Sequence, residues 1–181
     1  MRPALVYYAL KGLNMPTRKS LFLPLVLLAS LCLAQTAKTP LKMPFRPDPN
    51  LYRANANAQQ EIGHTITEAG KEHKRVILVF GAGWCGDCYA LDYGFHQPRV
   101  APLLNANFKV VHVDVGHFDK NLDLVQKYHV DLQKGIPSLA VLTPQGQVLY
   151  DTAEFERARV MSEEDIIEFL NTWKAAAPSQ K

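Results

Sequence analysis

The sequence predicts a single α/β domain, with helices packed on a sheet that has a parallel part and a terminal hairpin. Two observations predict this class. Short apolar runs typical of buried strands alternate with stretches of helical periodicity. A tight Pro-Gln-Gly turn separates the last two predicted strands and favours a hairpin. The length of 181 residues, 48% of them hydrophobic and 20% charged, is that of one ordinary globular domain.

The first half of the predicted domain contains a helix, a strand and two further helices. The segment Ala54–His73 is rich in Ala, Gln and Glu, and its apolar residues recur at helical spacing. Arg75–Phe80 is a continuous apolar run, as expected of a strand buried on both faces. After a glycine-rich turn, Tyr89–Phe95 continues as a helix. Pro98 is predicted to open another helix that runs to about Asn105.

The second half adds three strands and two helices. Phe108–Val115 is predicted as the second strand, and Asn121–Tyr128 as the helix that follows it. Ser138–Leu142 and Val148–Tyr150 are the strands of the hairpin. The last helix is predicted to begin after Ser162, a good N-cap residue that is followed by three acidic residues at the positive end of the helix dipole.

The net charge of +3 comes from the start of the chain. The first 34 residues hold four cations and no acid, so the remainder carries 16 cations against 17 acids, a net charge of −1. Nucleic-acid binding needs a concentrated basic surface to neutralise phosphates. We therefore expect no nucleic-acid partner.

The start of the chain resembles an export signal. Residues Leu21–Leu33 form an apolar run of 13 residues, directly after Arg18 and Lys19 and before the small residue Ala34. These are the three parts of a secretory signal peptide, and a membrane-spanning helix would need roughly 20 apolar residues. We predict a signal peptide over residues 1–34 and a mature chain in the periplasm or cell envelope. An uncleaved membrane anchor is the alternative.

The remaining domain boundaries follow from composition. Residues 35–53 contain four prolines and are predicted to form an extended linker. The folded domain is expected over residues 54–177, with a short tail over residues 178–181.

Two neighbouring cysteines are the strongest chemical signal in the predicted mature chain. A disulfide between Cys85 and Cys88 would close almost no loop, so it would remove little entropy from the unfolded chain. Cys85 lies at the start of a predicted helix, where unpaired N–H groups and the helix dipole favour the reactive thiolate. Cys88 lies one turn later and could resolve a mixed disulfide. An inert local bridge and a metal site are the alternatives. Since no second CxxC or HxxxH pair is present, no metal is expected.

The surrounding residues give this pair a family likeness. A buried strand leads into Trp84-Cys85-Gly86-Asp87-Cys88, a helix follows, and Ile136-Pro137 precedes the third strand. The chain in this respect resembles the thioredoxin superfamily, and in particular its exported members. The resemblance implies a thioredoxin-like fold with a central mixed sheet. It implies thiol–disulfide exchange by the two cysteines and a cis peptide bond at Ile136–Pro137. It also implies substrate contacts by a set of neighbours, namely Trp84, Gly86, Asp87, Ile136 and Pro137.

Three departures from the family pattern concern proton transfer and redox potential. Val79 stands where a buried acid usually assists the second cysteine, and Gly81 stands where many members carry a second Trp. The dipeptide between the cysteines is Gly-Asp. His112 could take over proton transfer, although an ordinary packed strand histidine is the simpler interpretation.

The sequence therefore predicts an exported thiol–disulfide oxidoreductase. The carboxylate of Asp87 should disfavour a nearby Cys85 thiolate and make the pair a reductant, unless this acid is merely solvated. We expect protein disulfides or dithiols as substrates, a membrane protein as electron donor and no bound cofactor. The alternatives are a disulfide oxidase or isomerase, and a non-catalytic module that binds peptides beside Pro137.

Overall fold

A four-stranded mixed sheet forms the centre of the domain. The computed structural model describes residues 38–41, 47–152 and 155–175, so the predicted signal peptide lies outside the described residues. In spatial order the strands are β2, β1, β3 and β4. β1 pairs in parallel with β2, and the remaining neighbours pair antiparallel. The predicted α/β class and the terminal hairpin are therefore confirmed. The strand bounds are β1 Arg75–Gly81, β2 Phe108–Asp114, β3 Ser138–Leu142 and β4 Val148–Thr152.

Helices precede and connect the strands at most of the predicted places. Within the described residues, no helix is both long and apolar enough to cross a membrane. Two short 3₁₀ turns, Leu132–Lys134 and Ala158–Val160, lie before β3 and before the last helix. The helix bounds are α1 Ala58–Glu72, α2 Gly86–Phe95, α3 Ala101–Asn107, α4 Leu122–Lys127 and α5 Glu163–Trp173.

Local capping sets the helix starts. The predicted cap of α5 is confirmed, because the Ser162 hydroxyl accepts the Asp165 N–H and the Asp165 carboxylate accepts the Ser162 N–H. α1 begins four residues later than predicted, where the Asn57 side chain accepts an N–H of the first turn. The predicted helix start at Pro98 is wrong. α3 begins at Ala101, and its first turn holds Pro102, the position that a residue without an N–H tolerates.

Strand β1 is the centre of the core. Its residues Val76–Phe80 have no exposed surface. Alternate side chains point to opposite faces of a strand, so β1 contributes to two apolar clusters. Leu78 and Phe80 pack on one face with α1, while Ile77 and Val79 pack on the other with α2 and α5. The sheet thereby places the C-terminal end of β1 directly before the cysteine loop.

The packed domain begins earlier than the predicted boundary at residue 54. Leu41 donates its backbone N–H to the carbonyl of Met161, 2.9 Å away, and Pro40 forms an isolated bridge with Ser162. Tyr52 is only 6% exposed and belongs to the core cluster of β1. Part of the predicted linker is therefore a structural part of the domain.

Candidate active site

The loop between β1 and α2 places the cysteine pair at the N-terminus of a helix. Cys85 is the N-cap residue of α2, with extended backbone angles, and Cys88 lies in the first turn. The two sulfurs form a disulfide, with 5.3 Å between the Cα atoms. The backbone N–H of Cys88 points at the Cys85 sulfur from 3.1 Å. This N–H would also stabilise a Cys85 thiolate in the reduced protein.

The two sulfurs differ in burial less than the sequence predicts. Cys85 is 5% exposed and Cys88 is fully buried. The position of Cys85 before the first turn of a helix predicts a side chain that faces solvent, and this prediction is wrong. The 5% of its surface that remains exposed is the narrow opening over Cys85.

The loop before β3 covers Cys85 from one side. The peptide bond between Ile136 and Pro137 is cis, and both residues are buried. The carbonyl oxygen of Ile136 lies 3.5 Å from the Cys85 sulfur. The hydroxyl of Ser138 donates to the carbonyl of Gly135 at 2.8 Å and closes this turn. The structure thus brings the carbonyl of Ile136, one of the two sequence-predicted loop residues, against Cys85.

Trp84 lies on the surface beside the disulfide as part of an aromatic cluster. Its ring is 51% exposed, and its indole N–H donates to the carbonyl of Gly116 at 2.8 Å. His117 stacks on it at 5.7 Å between centroids, and Phe118 meets it edge-on at 5.8 Å. Sequence reasoning missed these two partners, since nothing in their segment marks a loop that returns to the motif.

Asp87 is paired, contrary to the prediction of an uncompensated negative charge. Its carboxylate accepts the backbone N–H and the guanidinium Nε–H of Arg159, at 2.9 and 3.0 Å. A second guanidinium nitrogen lies 2.9 Å away. The pairing raises the pKa of Arg159. The guanidinium also lies against Gly86, since a Cβ there would come within 3.7 Å of Nη1. The motif therefore carries a charge pair, which sequence reasoning missed because Arg159 is 72 residues away.

His112 lies in the register position opposite Val79. Its Nε2 atom is 3.7 Å from a carboxylate oxygen of Asp92 and forms no hydrogen bond within the described residues. Burial lowers the pKa of His112 to about 4, with a smaller contribution from His96, and burial also raises the pKa of Asp92. His112 is therefore neutral at physiological pH.

A tyrosine that sequence reasoning placed in the linker lies on the buried side of the disulfide. The Tyr52 ring meets the ring of His112 edge-on, with 5.5 Å between centroids. Its hydroxyl crowds Gly81, the residue that ends β1. The only local signal for this contact is the missing side chain at Gly81, and that signal does not say what fills the space.

The described residues contain no group of three or more His, Cys, Asp or Glu side chains placed to hold a metal ion.

A mixed sheet, a CxxC disulfide at a helix N-terminus and a loop whose Ile136 carbonyl faces the first cysteine define a thioredoxin-fold thiol–disulfide oxidoreductase. Comparisons with known proteins identify the family. Residues 57–144 match the family model described as thioredoxin-like. A disulphide isomerase from Xylella fastidiosa Temecula1 is 37% identical, with a TM-score of 0.64 over 67% of this chain and 94% of that chain. The chain belongs to the thioredoxin superfamily.

Two more distant structures are also similar. The oxidised C-terminal domain of DsbD from Neisseria meningitidis is 22% identical, with a TM-score of 0.45 over 64% of this chain and 96% of that chain. A thioredoxin from Thermus thermophilus is 19% identical, with a TM-score of 0.47 over 61% of this chain and 81% of that chain.

Proposed function

We propose that this oxidoreductase reduces protein disulfides, with Cys85 as the attacking and Cys88 as the resolving cysteine. The observation that carries the proposal is the unequal setting of the two sulfurs. Cys85 caps the helix and accepts the Cys88 N–H, whereas Cys88 is fully buried behind it. A hydrogen bond and the helix dipole favour the thiolate, and burial without a charge partner disfavours it.

The proposed reaction has two exchange steps. The Cys85 thiolate attacks a substrate disulfide and forms a mixed disulfide, while the other substrate sulfur leaves as a thiolate and is protonated. The Cys88 sulfur, once deprotonated, then attacks Cys85. This step forms the observed Cys85–Cys88 bond and releases the second substrate sulfur. Two electrons pass from the protein to the substrate, so no bound cofactor is required.

Substrate contacts are proposed at the opening over Cys85. An extended peptide could pair with the backbone of Ile136, whose carbonyl lies beside the Cys85 sulfur, in the manner of an added strand. The exposed faces of Trp84 and Phe118 would contact its apolar side chains. Pro137 shapes this turn, and Gly86 leaves room beside the Asp87–Arg159 pair.

The direction of electron flow rests on the surroundings of Cys85. Within the described residues, the Cys88 N–H is the hydrogen-bond donor to this sulfur, and the Ile136 carbonyl oxygen faces it from 3.5 Å. A carbonyl oxygen repels a thiolate, so the reduced form gains limited stabilisation. We expect a reduction potential nearer to about −270 mV than to about −120 mV. A redox titration of the wild-type protein with glutathione tests this, and a value above about −150 mV would contradict a reductase.

Disulfide isomerisation is the second candidate, favoured by the 37% identity to the Xylella protein whose structure is that of a disulphide isomerase. An isomerase would restore activity to a scrambled disulfide substrate without net consumption of reductant. A reductase would consume one reductant equivalent for each substrate disulfide. Following substrate thiols and reductant in the same reaction separates the two.

Export is proposed from the apolar run of residues 21–33 and the cations before it. An exported reductant needs an electron supply, for which a membrane protein is the proposed donor. Mass spectrometry of the protein from its native envelope should show a chain that begins near Gln35. An intact leader would instead indicate a membrane anchor.

A further inference from the structure

The hydroxyl of Tyr52 and the sulfur of Cys88 lie against the same point of the backbone. A Cβ atom built on Gly81 would be 2.3 Å from the Tyr52 hydroxyl oxygen and 2.8 Å from the Cys88 sulfur. Both distances are far below van der Waals contact. The absent side chain of Gly81 therefore leaves the space beside which both the phenol hydroxyl and the buried sulfur lie.

The Tyr52 hydroxyl is a buried donor without an acceptor. The residue is 6% exposed, and its oxygen has no hydrogen-bond partner among the described residues in this disulfide-bonded state. Leaving a buried hydroxyl unpaired is costly, and such a group is expected to find a partner in some state of the protein. Rings fix the phenol in place: His112 meets it edge-on at 5.5 Å and Tyr89 at 6.4 Å.

The phenol stays protonated in these surroundings. Burial raises the pKa of Tyr52, and the charges of Asp92 and Asp114 and the neighbouring Tyr89 raise it further. His112, which packs on the ring, is neutral because burial lowers its pKa to about 4. At physiological pH the hydroxyl can therefore donate a hydrogen bond to a charged acceptor.

We propose that Tyr52 is the hydrogen-bond donor that stabilises the Cys88 thiolate when the disulfide is open. Tyr52 would thus assist the second cysteine, which Val79 cannot do because its side chain has no polar group. Breaking the S–S bond obliges the two sulfurs to move apart to van der Waals contact. Cys88 lies within the first turn of α2, with Tyr52 on the Gly81 side. The thiolate would then receive the O–H that the oxidised state leaves unpaired.

The exchange reaction balances without a change in Tyr52 itself. During resolution, Cys88 gives up one proton and attacks Cys85, and the net acceptor of that proton is the departing substrate sulfur. The Cys85–substrate bond breaks, and the departing substrate thiolate takes up a proton. In the reverse direction a donor thiolate attacks Cys85, and Cys88 leaves as the thiolate. A hydrogen bond to that thiolate lowers its pKa and speeds its departure.

The test is the pKa of Cys88 in the Cys85→Ser protein, measured from the pH dependence of alkylation, with and without Tyr52→Phe. Phenylalanine keeps the ring packing and removes only the hydroxyl. We expect the Cys88 pKa to rise by about one unit, the usual effect of losing one hydrogen bond to a charged group. In a Tyr52→Phe protein that keeps both cysteines, the attack of Cys88 on the mixed disulfide should slow about threefold. The thiolate fraction of Cys88 falls, and the higher nucleophilicity of the remaining thiolate offsets part of that loss.

Two further variants make the test specific. Tyr128→Phe removes the hydroxyl of another buried tyrosine in the same core cluster and should leave the Cys88 pKa unchanged. Asp92→Asn tests whether the Asp92 carboxyl, one helical turn beyond Cys88, sets the Cys88 pKa instead of Tyr52. An unchanged Cys88 pKa in Tyr52→Phe, an equal shift in Tyr128→Phe, or a shift only in Asp92→Asn would each overturn the proposal.

The inference deepens the proposed function and rests on Cys88 as the resolving residue. The two can fail separately. Trapping of substrates by Cys88→Ser tests the division of labour between the cysteines and does not depend on Tyr52. The pKa measurement tests Tyr52 and requires no substrate.

Discussion

The two sulfurs of the disulfide have contrasting surroundings. Cys85 faces the Ile136 carbonyl at the narrow opening and accepts an amide N–H, and the exposed Trp84 precedes it. Cys88 is enclosed by the core, with the Gly81 backbone and a tyrosine hydroxyl beside it. One helix thus holds two cysteines three residues apart in different surroundings. This contrast is the basis of the proposal that Cys85 attacks the substrate and Cys88 resolves the mixed disulfide.

The largest expected effect is the difference in substrate trapping between the two single cysteine variants. Cys88→Ser should accumulate mixed disulfides with substrates, because the resolving sulfur is gone. Cys85→Ser should trap almost nothing and lose disulfide-reducing activity, since the buried Cys88 cannot reach a substrate. Non-reducing gels of the two variants check both results. Equal trapping by both would remove the functional difference between the two sulfurs.

The burial of His112 should make the free energy of unfolding depend on pH. The pKa of His112 is about 4 in the folded protein, against an unfolded value of about 6.5. The unfolded chain therefore binds the proton more strongly between these values, and stability falls as the pH drops from 6.5 to 4. The contribution is roughly 3 kcal/mol. Asp92, whose pKa is raised by burial, acts with the opposite sign.

Denaturant unfolding of wild type and His112→Gln between pH 7 and pH 4 measures this contribution. The variant should lose less stability over that interval than the wild type does. Identical slopes would mean that folding does not lower the pKa of His112.

Two glycine substitutions compare the crowded site with an open one. Gly81→Ala should lower the free energy of unfolding by about 1–3 kcal/mol, because its Cβ would overlap the Tyr52 hydroxyl and the Cys88 sulfur. In Gly63→Ala, an exposed position of α1, the Cβ meets nothing within 4 Å. This variant should gain about 0.5–1 kcal/mol from helix propensity. A neutral Gly81→Ala would show that the tyrosine moves away freely.

The smallest effect concerns the charge pair at the motif. Arg159→Ala leaves the Asp87 carboxylate uncompensated, which disfavours the Cys85 thiolate and should make the reduction potential more negative. Asp87→Asn leaves the cation instead and should shift the potential upward. Each shift should be on the order of 20 mV, since the guanidinium is largely exposed. Shifts of the same sign in both variants would exclude an electrostatic origin.

The sequence alone predicted the residues of the motif better than the residues that reach the site from distant parts of the chain. The motif residues and the N-cap position of Cys85 follow from short-range patterns in the sequence, and the place of the Ile136–Pro137 loop at the site follows from the resemblance to the thioredoxin superfamily. Tyr52 and Arg159 reach the site from 36 and 72 residues away, respectively, so their contacts depend on the final packing. The proline-rich composition around Tyr52 favoured a linker, and burial of one aromatic side chain overrode that local tendency. The pairing of Asp87 with Arg159 was not predicted, because it too depends on a residue distant in the sequence.

The division of labour between the sulfurs is most directly tested by alkylation of the fully reduced wild-type protein near neutral pH, with the labelled cysteine identified by mass spectrometry. Cys85 should react at least about tenfold faster than Cys88, because it has the hydrogen-bonded helix N-cap position and is 5% exposed, whereas Cys88 is fully buried. Equal rates, or faster labelling of Cys88, would contradict the assignment of Cys85 as the attacking residue.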